Sequence, residues 1–222
     1  MVMLQGRRSA SACDTPASLV PCAQHRASVR VPTGPRAGCL GWIGNPAHPR
    51  PLSPPMPTQG RFAMSQRLDY QQQSPELFKK LIEFSMLVEK SSIEQPIRDL
   101  VSIRASQING CAFCVDMHIK QATLHGERPL RLHHLAIWRE STLFAPRERA
   151  VLAWTEALTQ IPAHGVPDDI YERVRTQLSE KEISDLSFVV MNINAWNRVN
   201  IGFQTVPGSL DKAFGLDKAN LA

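Results

Sequence analysis

The segment best suited to chemistry is Cys111-Ala-Phe-Cys114-Val-Asp-Met-His118, in which two thiols are followed by an imidazole. On a helix, Cys111 and Cys114 are three residues apart and His118 is four residues beyond Cys114, so all three lie on one face. The cysteines fall in the first helical turn, where unpaired N–H groups favour negative charge. We therefore expect a thiol pKa below the usual value of about 8.5, with His118 as the proton acceptor.

This arrangement predicts peroxide or disulfide chemistry. A thiolate can attack the O–O bond of a peroxide and become a sulfenic acid. The second cysteine, one turn away, can condense with it to a disulfide, and an external dithiol can restore the pair by exchange. The site would need no metal and no bound cofactor.

Two other interpretations of the dithiol stay open. The pair could serve a non-enzymatic redox sensor or a module that exchanges disulfides with a partner protein. It could also bind zinc in a small helical protein, because Cys-x2-Cys is a metal-ligand spacing. A structural zinc site needs four ligands, however, and only Cys111, Cys114 and His118 fall together, since His125 lies about 10 Å farther along the helix axis.

Charge divides the chain into two parts. Residues 1–63 hold seven arginines and one acid, Asp14, whereas residues 64–222 hold 18 basic and 19 acidic residues. The second part has no Lys/Arg stripe, which argues against nucleic-acid binding.

The sequence contains no run of 18 apolar residues, so it predicts no membrane-spanning helix. A close cysteine pair without an evident export signal favours a reducing compartment, and we expect the cytoplasm.

The first 63 residues are interpreted as a disordered Pro/Arg-rich extension. They contain ten of the 17 prolines and show no apolar periodicity, so they cannot bury enough surface to offset the entropy of ordering. A transit peptide is a weaker interpretation, because the prolines interrupt any amphipathic helix. Composition changes sharply at Met64, and we favour Met64 as the true start, with a helical domain over residues 64–222.

The domain itself is predicted to be an all-α bundle of about six to seven helices. Apolar residues recur with helical spacing, and neither an alternating strand nor a glycine-rich phosphate loop is evident. Capping residues and prolines place the helix starts. The predicted helices begin near Pro75, Ser92, Cys111, Pro129, Pro146, Pro167 and Ser179.

The segment IRASQINGCAFCVDMHIKQA at 103–122 resembles the alkylhydroperoxidase D (AhpD)-like branch of the carboxymuconolactone decarboxylase superfamily. The stretches WRES at 138–141, RERAVLAWTEALT at 147–159 and NINAWNRVNI at 192–201 are similar to the family as well. The resemblance covers roughly residues 66–205. It implies a helical homo-oligomer, a trimer or hexamer, with thiol-dependent peroxidase or disulfide reductase activity and a dithiol electron donor. True decarboxylases of the superfamily lack the cysteine pair, which argues against lactone decarboxylation.

The resemblance also assigns roles. The family pattern of an acid, twelve residues to a cysteine, then x2-Cys and x3-His matches Asp99, Cys111, Cys114 and His118. It makes Cys114 the peroxide-attacking residue and Cys111 the resolving one, although the helix terminus alone would favour Cys111 as the thiolate. His118 would move protons, and Asp99 would orient this relay or receive a proton through it. The family acid is usually Glu, so the Asp99 carboxylate is expected to fall about 1.5 Å short, enough to break a direct hydrogen bond of about 3 Å. A bridging water could restore the relay. Weaker peroxidase activity, or a shift toward disulfide exchange, would follow. Arg104 and Trp138 either line the approach or serve packing.

Overall fold

Residues 65–221 are described by the computed structural model, and they form helices, turns and loops with no strand among them. The predicted all-α fold is therefore confirmed. The predicted extension 1–63 and the predicted start at Met64 lie outside the described residues. The elements are α1 Tyr70–Gln73, α2 Pro75–Val88, α3 Gln95–Asn109, α4 Ala112–Leu124, α5 Pro129–His134, a 3₁₀ turn Leu135–Ile137, α6 Pro146–Thr159, α7 Asp168–Arg175, α8 Glu180–Phe203, α9 Asp211–Phe214 and a 3₁₀ turn Leu216–Ala219.

Helix α3 is the centre of the bundle, because it packs against α4, α6 and α8. Its side toward α6 and α8 joins an apolar cluster that includes Val101, Trp154 and Leu186. Its side toward α4 and α5 joins a second cluster around Ile103 and Leu135. A third, smaller cluster contains both cysteines of the pair. The thiols therefore lie inside the bundle and not on a surface loop.

Most helix starts agree with the predictions from capping chemistry. Pro146 opens α6, and Ser179 with Glu182 forms the predicted capping box of α8. Helix α3 is the exception, since it begins at Gln95 and not at Ser92. The backbone N–H and hydroxyl of Ser92 both donate to the Asp185 carboxylate at 2.7 Å, so Ser92 is engaged with α8 and cannot cap α3.

None of the helices within residues 65–221 is both long enough and apolar enough to cross a membrane.

Candidate active site

The cysteine pair sits at the tight junction between α3 and α4. Gly110 ends α3 with a φ of 70°, a left-handed conformation that glycine adopts without a steric penalty. The chain then reverses, and the backbone N–H of Cys111 donates to the Ser106 carbonyl at 3.0 Å. Cys111 thereby becomes the N-cap of α4, and its sulfur accepts the backbone N–H of Cys114 at 3.4 Å. The Asn109-Gly110 break in the sequence thus positions the first thiol at the positive end of the helix.

The two thiols are reduced, buried and in contact. Their sulfur atoms are 2.8 Å apart, and each residue is about 1% exposed. At this distance the two sulfur atoms share a hydrogen bond, so one proton lies between them. That hydrogen bond, together with the backbone N–H of Cys114, lowers the pKa of Cys111 to about 7 despite burial. The same bond, burial and the nearby negative charge raise the pKa of Cys114.

Buried amide side chains of α8 lie near the pair, and two of them, Asn197 and Asn200, interact with the thiols. Asn194, Asn197 and Asn200 recur every three residues along α8 and are all buried. The Nδ2 of Asn200 donates to the Cys114 sulfur at 3.5 Å. Asn197 is held by Asn109, which donates to its Oδ1 at 2.8 Å, and hydrogen bonding from Asn197 and Asn200 lowers the pKa of Cys114, against the larger raising effects. Sequence reasoning missed these residues, although three asparagines at helical spacing on a buried face were a usable signal.

His118 faces the same cavity as Cys114. Its Nδ1 lies 2.7 Å from Oε1 of Gln121, an amide oxygen that can only accept a hydrogen bond. Nδ1 therefore carries the hydrogen, and Nε2 is left as a proton acceptor. Burial lowers the pKa of His118, with smaller opposing effects from Gln121 and Asp99, so the ring is neutral near pH 7. Within residues 65–221, His118 makes no direct hydrogen bond to either thiol or to Asp99.

Asp99 is hydrogen-bonded to two residues that the sequence did not relate to it. Its Oδ2 lies 2.7 Å from Nδ1 of His125, and its Oδ1 accepts from Nε2 of Gln95 at 2.9 Å. Asp99 is 5% exposed, whereas the His125 side chain is 43% exposed. His125, which the sequence analysis considered only as a zinc ligand, is thus the direct partner of this acid. The sequence could have indicated this residue, because His125 follows Cys114 by eleven residues. That is about three helical turns, which places both residues on the same side of the helix.

A cavity of about 610 Å³ joins these groups, and we call it the thiol cavity. Cys114, His118, Asp99 and His125 line it, whereas Cys111 lies behind Cys114. Most of the remaining wall is aromatic or aliphatic, with contributions from α2, α8 and α9. The apolar lining includes Tyr70, Phe78, Ile82, Met117, Ile193, Trp196, Leu210 and Phe214.

Arg104 and Trp138 do not line the thiol cavity. Both donate to one oxygen of Glu156, Arg104 Nε at 2.7 Å and Trp138 Nε1 at 2.8 Å. The alternative of packing and ion pairing therefore describes these two residues. As for metals, the described part of the chain holds no group of three or more His, Cys, Asp and Glu side chains arranged to bind an ion.

Comparison with known proteins places this site in a family. The carboxymuconolactone decarboxylase family model matches residues 75–157, which include the pair, His118, Asp99 and His125. The uncharacterised protein YdfG of Bacillus subtilis is 41% identical over 138 residues, which are 62% of this chain and 94% of YdfG. The chain is an AhpD-like member of the carboxymuconolactone decarboxylase superfamily.

Solved structures agree with this membership. A protein of unknown function from Agrobacterium tumefaciens, a candidate antioxidant defence protein AhpD, is 38% identical to this AhpD-like chain, with a TM-score of 0.63 over 64% of this chain and 98% of that one. The debrominase Bmp8 is 18% identical, with a TM-score of 0.58 over 67% and 80% of the two chains, and shows that the fold is shared. Helix α8, with its asparagines, lies beyond the segment that the family model matches.

Proposed function

We propose that this chain is a thiol-dependent peroxidase that can also act as a disulfide oxidoreductase. The observation that supports it most directly is the contact of two reduced sulfur atoms, 2.8 Å apart, of which one lines a cavity shared with a neutral histidine. A structural cysteine pair would need neither the cavity nor the histidine. The function would require no bound cofactor, only a peroxide and an external dithiol.

In the first step, His118 Nε2 accepts the proton of Cys114, directly or through a water molecule. The Cys114 thiolate attacks one peroxide oxygen, the O–O bond breaks, and the proton passes from His118 to the departing alkoxide. The products are a Cys114 sulfenic acid and an alcohol, or water if the substrate is hydrogen peroxide. Sulfur is oxidised and the peroxide oxygen is reduced, so electrons balance.

In the second step, the sulfur of Cys111 attacks the sulfur of the sulfenic acid, and hydroxide leaves to become water after protonation. A disulfide joins the two residues. An external dithiol then reduces this disulfide by two exchanges and becomes a disulfide itself. We propose a reducing compartment such as the cytoplasm as the setting, because such donors are kept reduced there.

The division of roles between the cysteines follows access and not acidity. Cys111 has the lower pKa, but it lies behind Cys114 and does not line the cavity. Because the sulfurs share one proton, moving that proton to Cys111, or taking it to His118, makes Cys114 the nucleophile. We therefore assign Cys114 as the peroxide-attacking residue and Cys111 as the resolving residue.

A homo-oligomer, a trimer or hexamer, is part of the proposal. Large apolar side chains of α2 and α8 are exposed, among them Leu77 at 74%, Leu87 at 68% and Phe188 at 50%. Burial of such side chains between copies of the chain would remove apolar area from water.

The test compares the two single variants Cys111→Ser and Cys114→Ser with the wild type. With hydrogen peroxide and dithiothreitol, the wild type should turn over and both variants should fall to the background rate. A sulfenic-acid trap such as dimedone should label Cys114 in the first variant and leave Cys111 unlabelled in the second. Peptide mapping by mass spectrometry separates these sites from Cys13, Cys22 and Cys39.

The outcomes distinguish the alternatives. Labelling of Cys111 in Cys114→Ser, at the rate seen for Cys114 in the other variant, would reverse the roles. Stoichiometric oxidation of the wild type without turnover would favour the redox sensor. Co-purified zinc lost only from the cysteine variants would favour the metal site.

A further inference from the structure

In the proposed cycle, on which this inference rests, the thiols and His118 do not supply all the protons that the reaction consumes. The reactive form of the pair holds one thiolate and one thiol, because a thiolate is the species that attacks peroxide. The contact between the two sulfur atoms, 2.8 Å apart, favours this form and lowers the pKa of Cys111 to about 7. One thiolate, one thiol and one peroxide give a disulfide, an alcohol and a hydroxide ion. Each oxidation must therefore take up one proton from outside the pair, and each reduction by an external dithiol must release one.

Direct exchange with solvent is restricted at the sulfur atoms, since both cysteines are about 1% exposed. Asp99 and His125, by contrast, connect the cavity with the surface. Asp99 is a buried carboxyl group on the cavity wall, and its Oδ2 lies 2.7 Å from a histidine whose side chain is 43% exposed.

The tautomer of His125 follows from its partner. A carboxylate can only accept hydrogen bonds, so Nδ1 of His125 carries the hydrogen that Asp99 accepts. Nε2 is then the nitrogen that can take a proton from water. The other carboxylate oxygen of Asp99 is fixed by Gln95 at 2.9 Å, which orients the group.

The inner end of this route is His118. Asp99 and His118 line the same cavity, and they are close enough that the charge of Asp99 raises the pKa of His118, against the larger effect of burial. No direct hydrogen bond joins Asp99 to His118 in the described structure, so the cavity space between them would be bridged by water or by the substrate.

We propose that His125 exchanges protons between solvent and the thiol cavity through Asp99. In the uptake direction, Nε2 gains a proton from water and Nδ1 gives its proton to the Asp99 carboxylate. Asp99 then passes a proton, through a water molecule and His118, to the hydroxide leaving the sulfenic acid. The release direction, during reduction of the disulfide, reverses these transfers. His125 acts through Asp99 and is therefore a positioning residue of the site, one that also carries a proton.

The role differs from that expected of the family acid. Asp99 is hydrogen-bonded to His125, and among the described residues no direct hydrogen bond joins it to His118.

Two substitutions at one position separate proton transfer from hydrogen bonding. His125→Gln keeps a donor for the Asp99 carboxylate but cannot carry a proton, and His125→Ala removes both properties. We expect turnover of hydrogen peroxide with dithiothreitol to fall about tenfold in both variants, less than for a group that transfers a proton directly to the reacting atoms. Added imidazole should restore the rate of His125→Ala with saturation, because the site is open to solvent.

The matched control is His133→Ala, an exposed histidine on α5 outside the thiol cavity, which should keep the wild-type rate and gain nothing from imidazole. Full activity of His125→Gln would overturn the inference, since a hydrogen bond to Asp99 would then suffice. Wild-type activity of His125→Ala, or a tenfold loss that imidazole does not restore, would overturn it as well.

The design keeps this inference apart from the proposed function. If the wild type fails to turn over, the peroxidase proposal fails and the variants are not needed. If the wild type turns over and the His125 variants match it, only the proton route fails.

Discussion

Two polar clusters lie on different sides of α3. Each contains a carboxylate, but the carboxylates have different partners. The thiol cavity contains Asp99. The other cluster, which we call the Glu156 cluster, consists of Arg104, Trp138, Arg139 and Glu156. Asp99 and Arg104 are five residues apart, which is about 140° around a helix, so one helix supplies both clusters from different faces.

The clusters differ in the kind of partner that their acids have. Glu156 accepts from Arg104 and Trp138 on one oxygen and pairs with Arg139 at 2.5 Å on the other. Burial alone would raise the pKa of Glu156, but these hydrogen bonds and charges lower it below its usual value. Asp99 has one amide donor and one exposed histidine, and no arginine or lysine forms an ion pair with it among the described residues.

This difference separates the family-like residues that stabilise the fold from those that are available for chemistry. The stretches WRES and RERAVLAWTEALT look as typical of the family as the cysteine segment does. Their polar residues Trp138, Arg139 and Glu156 hold α6 against α3 and the turn after α5, and none of the three lines the thiol cavity. An acid bonded to two arginines and a tryptophan, whose N–H groups stay protonated, anchors helices, whereas an acid bonded to a histidine has a partner that can carry a proton.

Removing the acid of the Glu156 cluster should have the largest effect, and it should be an effect on stability. Glu156→Ala leaves Arg104, whose side chain is 16% exposed, without its charge partner. We expect a loss of about 3 kcal/mol in the free energy of unfolding, measured by urea denaturation. The activity per folded molecule should stay near that of the wild type.

The matched control is Glu83→Ala, which breaks the exposed pair with Lys80 on α2 and should cost less than about 1 kcal/mol. Equal losses from the two variants would mean that the Glu156 cluster is no more structural than a surface ion pair. A large loss of activity in folded Glu156→Ala would erase the distinction between the clusters.

Removing His118, the base of the thiol cavity, should lower activity and leave stability nearly unchanged. His118→Ala should lower the rate of Cys114 oxidation by about 100-fold, because no ring nitrogen remains to accept the thiol proton. The melting temperature should change little, since the only hydrogen bond in which the His118 side chain takes part in the described structure is to Gln121. Stopped-flow oxidation by hydrogen peroxide measures the rate, and calorimetry measures the melting temperature. A wild-type rate would remove His118 from the mechanism.

The fold was predictable because the signals that specify it are local. Prolines at helix starts, the Ser179–Glu182 capping box and the Asn109-Gly110 break each act within a few residues, and the structure has helix boundaries there. Ser92 shows where local reasoning fails. Its capping signature is real, but the carboxylate of Asp185, 93 residues away in sequence, holds it.

Only the part of the site's geometry that lies along one helix was predictable from the sequence. Cys111 caps α4, and Cys114 and His118 lie in its first two turns, so spacing alone relates them. The partner of Asp99 depends on how α3 packs against the far end of α4, and the asparagines on α8 approach the thiols from another part of the chain. Contacts between helices depend on packing, which a motif along one helix does not encode.

Asn200 provides the smallest of these effects and the most direct probe of the α8 contribution. Its Nδ2 donates to the Cys114 sulfur at 3.5 Å, a bond that favours the thiolate over the thiol. In a Cys111→Ser background, which leaves one thiol at the site, Asn200→Ala should therefore raise the pKa of Cys114 by about one unit. The thiolate fraction near neutral pH, and with it the rate of peroxide attack, should fall. The pH dependence of iodoacetamide alkylation, followed by mass spectrometry, measures this pKa.

Asn192→Ala is the control, because Asn192 lies on the same helix and lines the same cavity but accepts a hydrogen bond from Ser85 instead. If both variants shift the pKa equally, the cause is the general polarity of the cavity and not a hydrogen bond to sulfur.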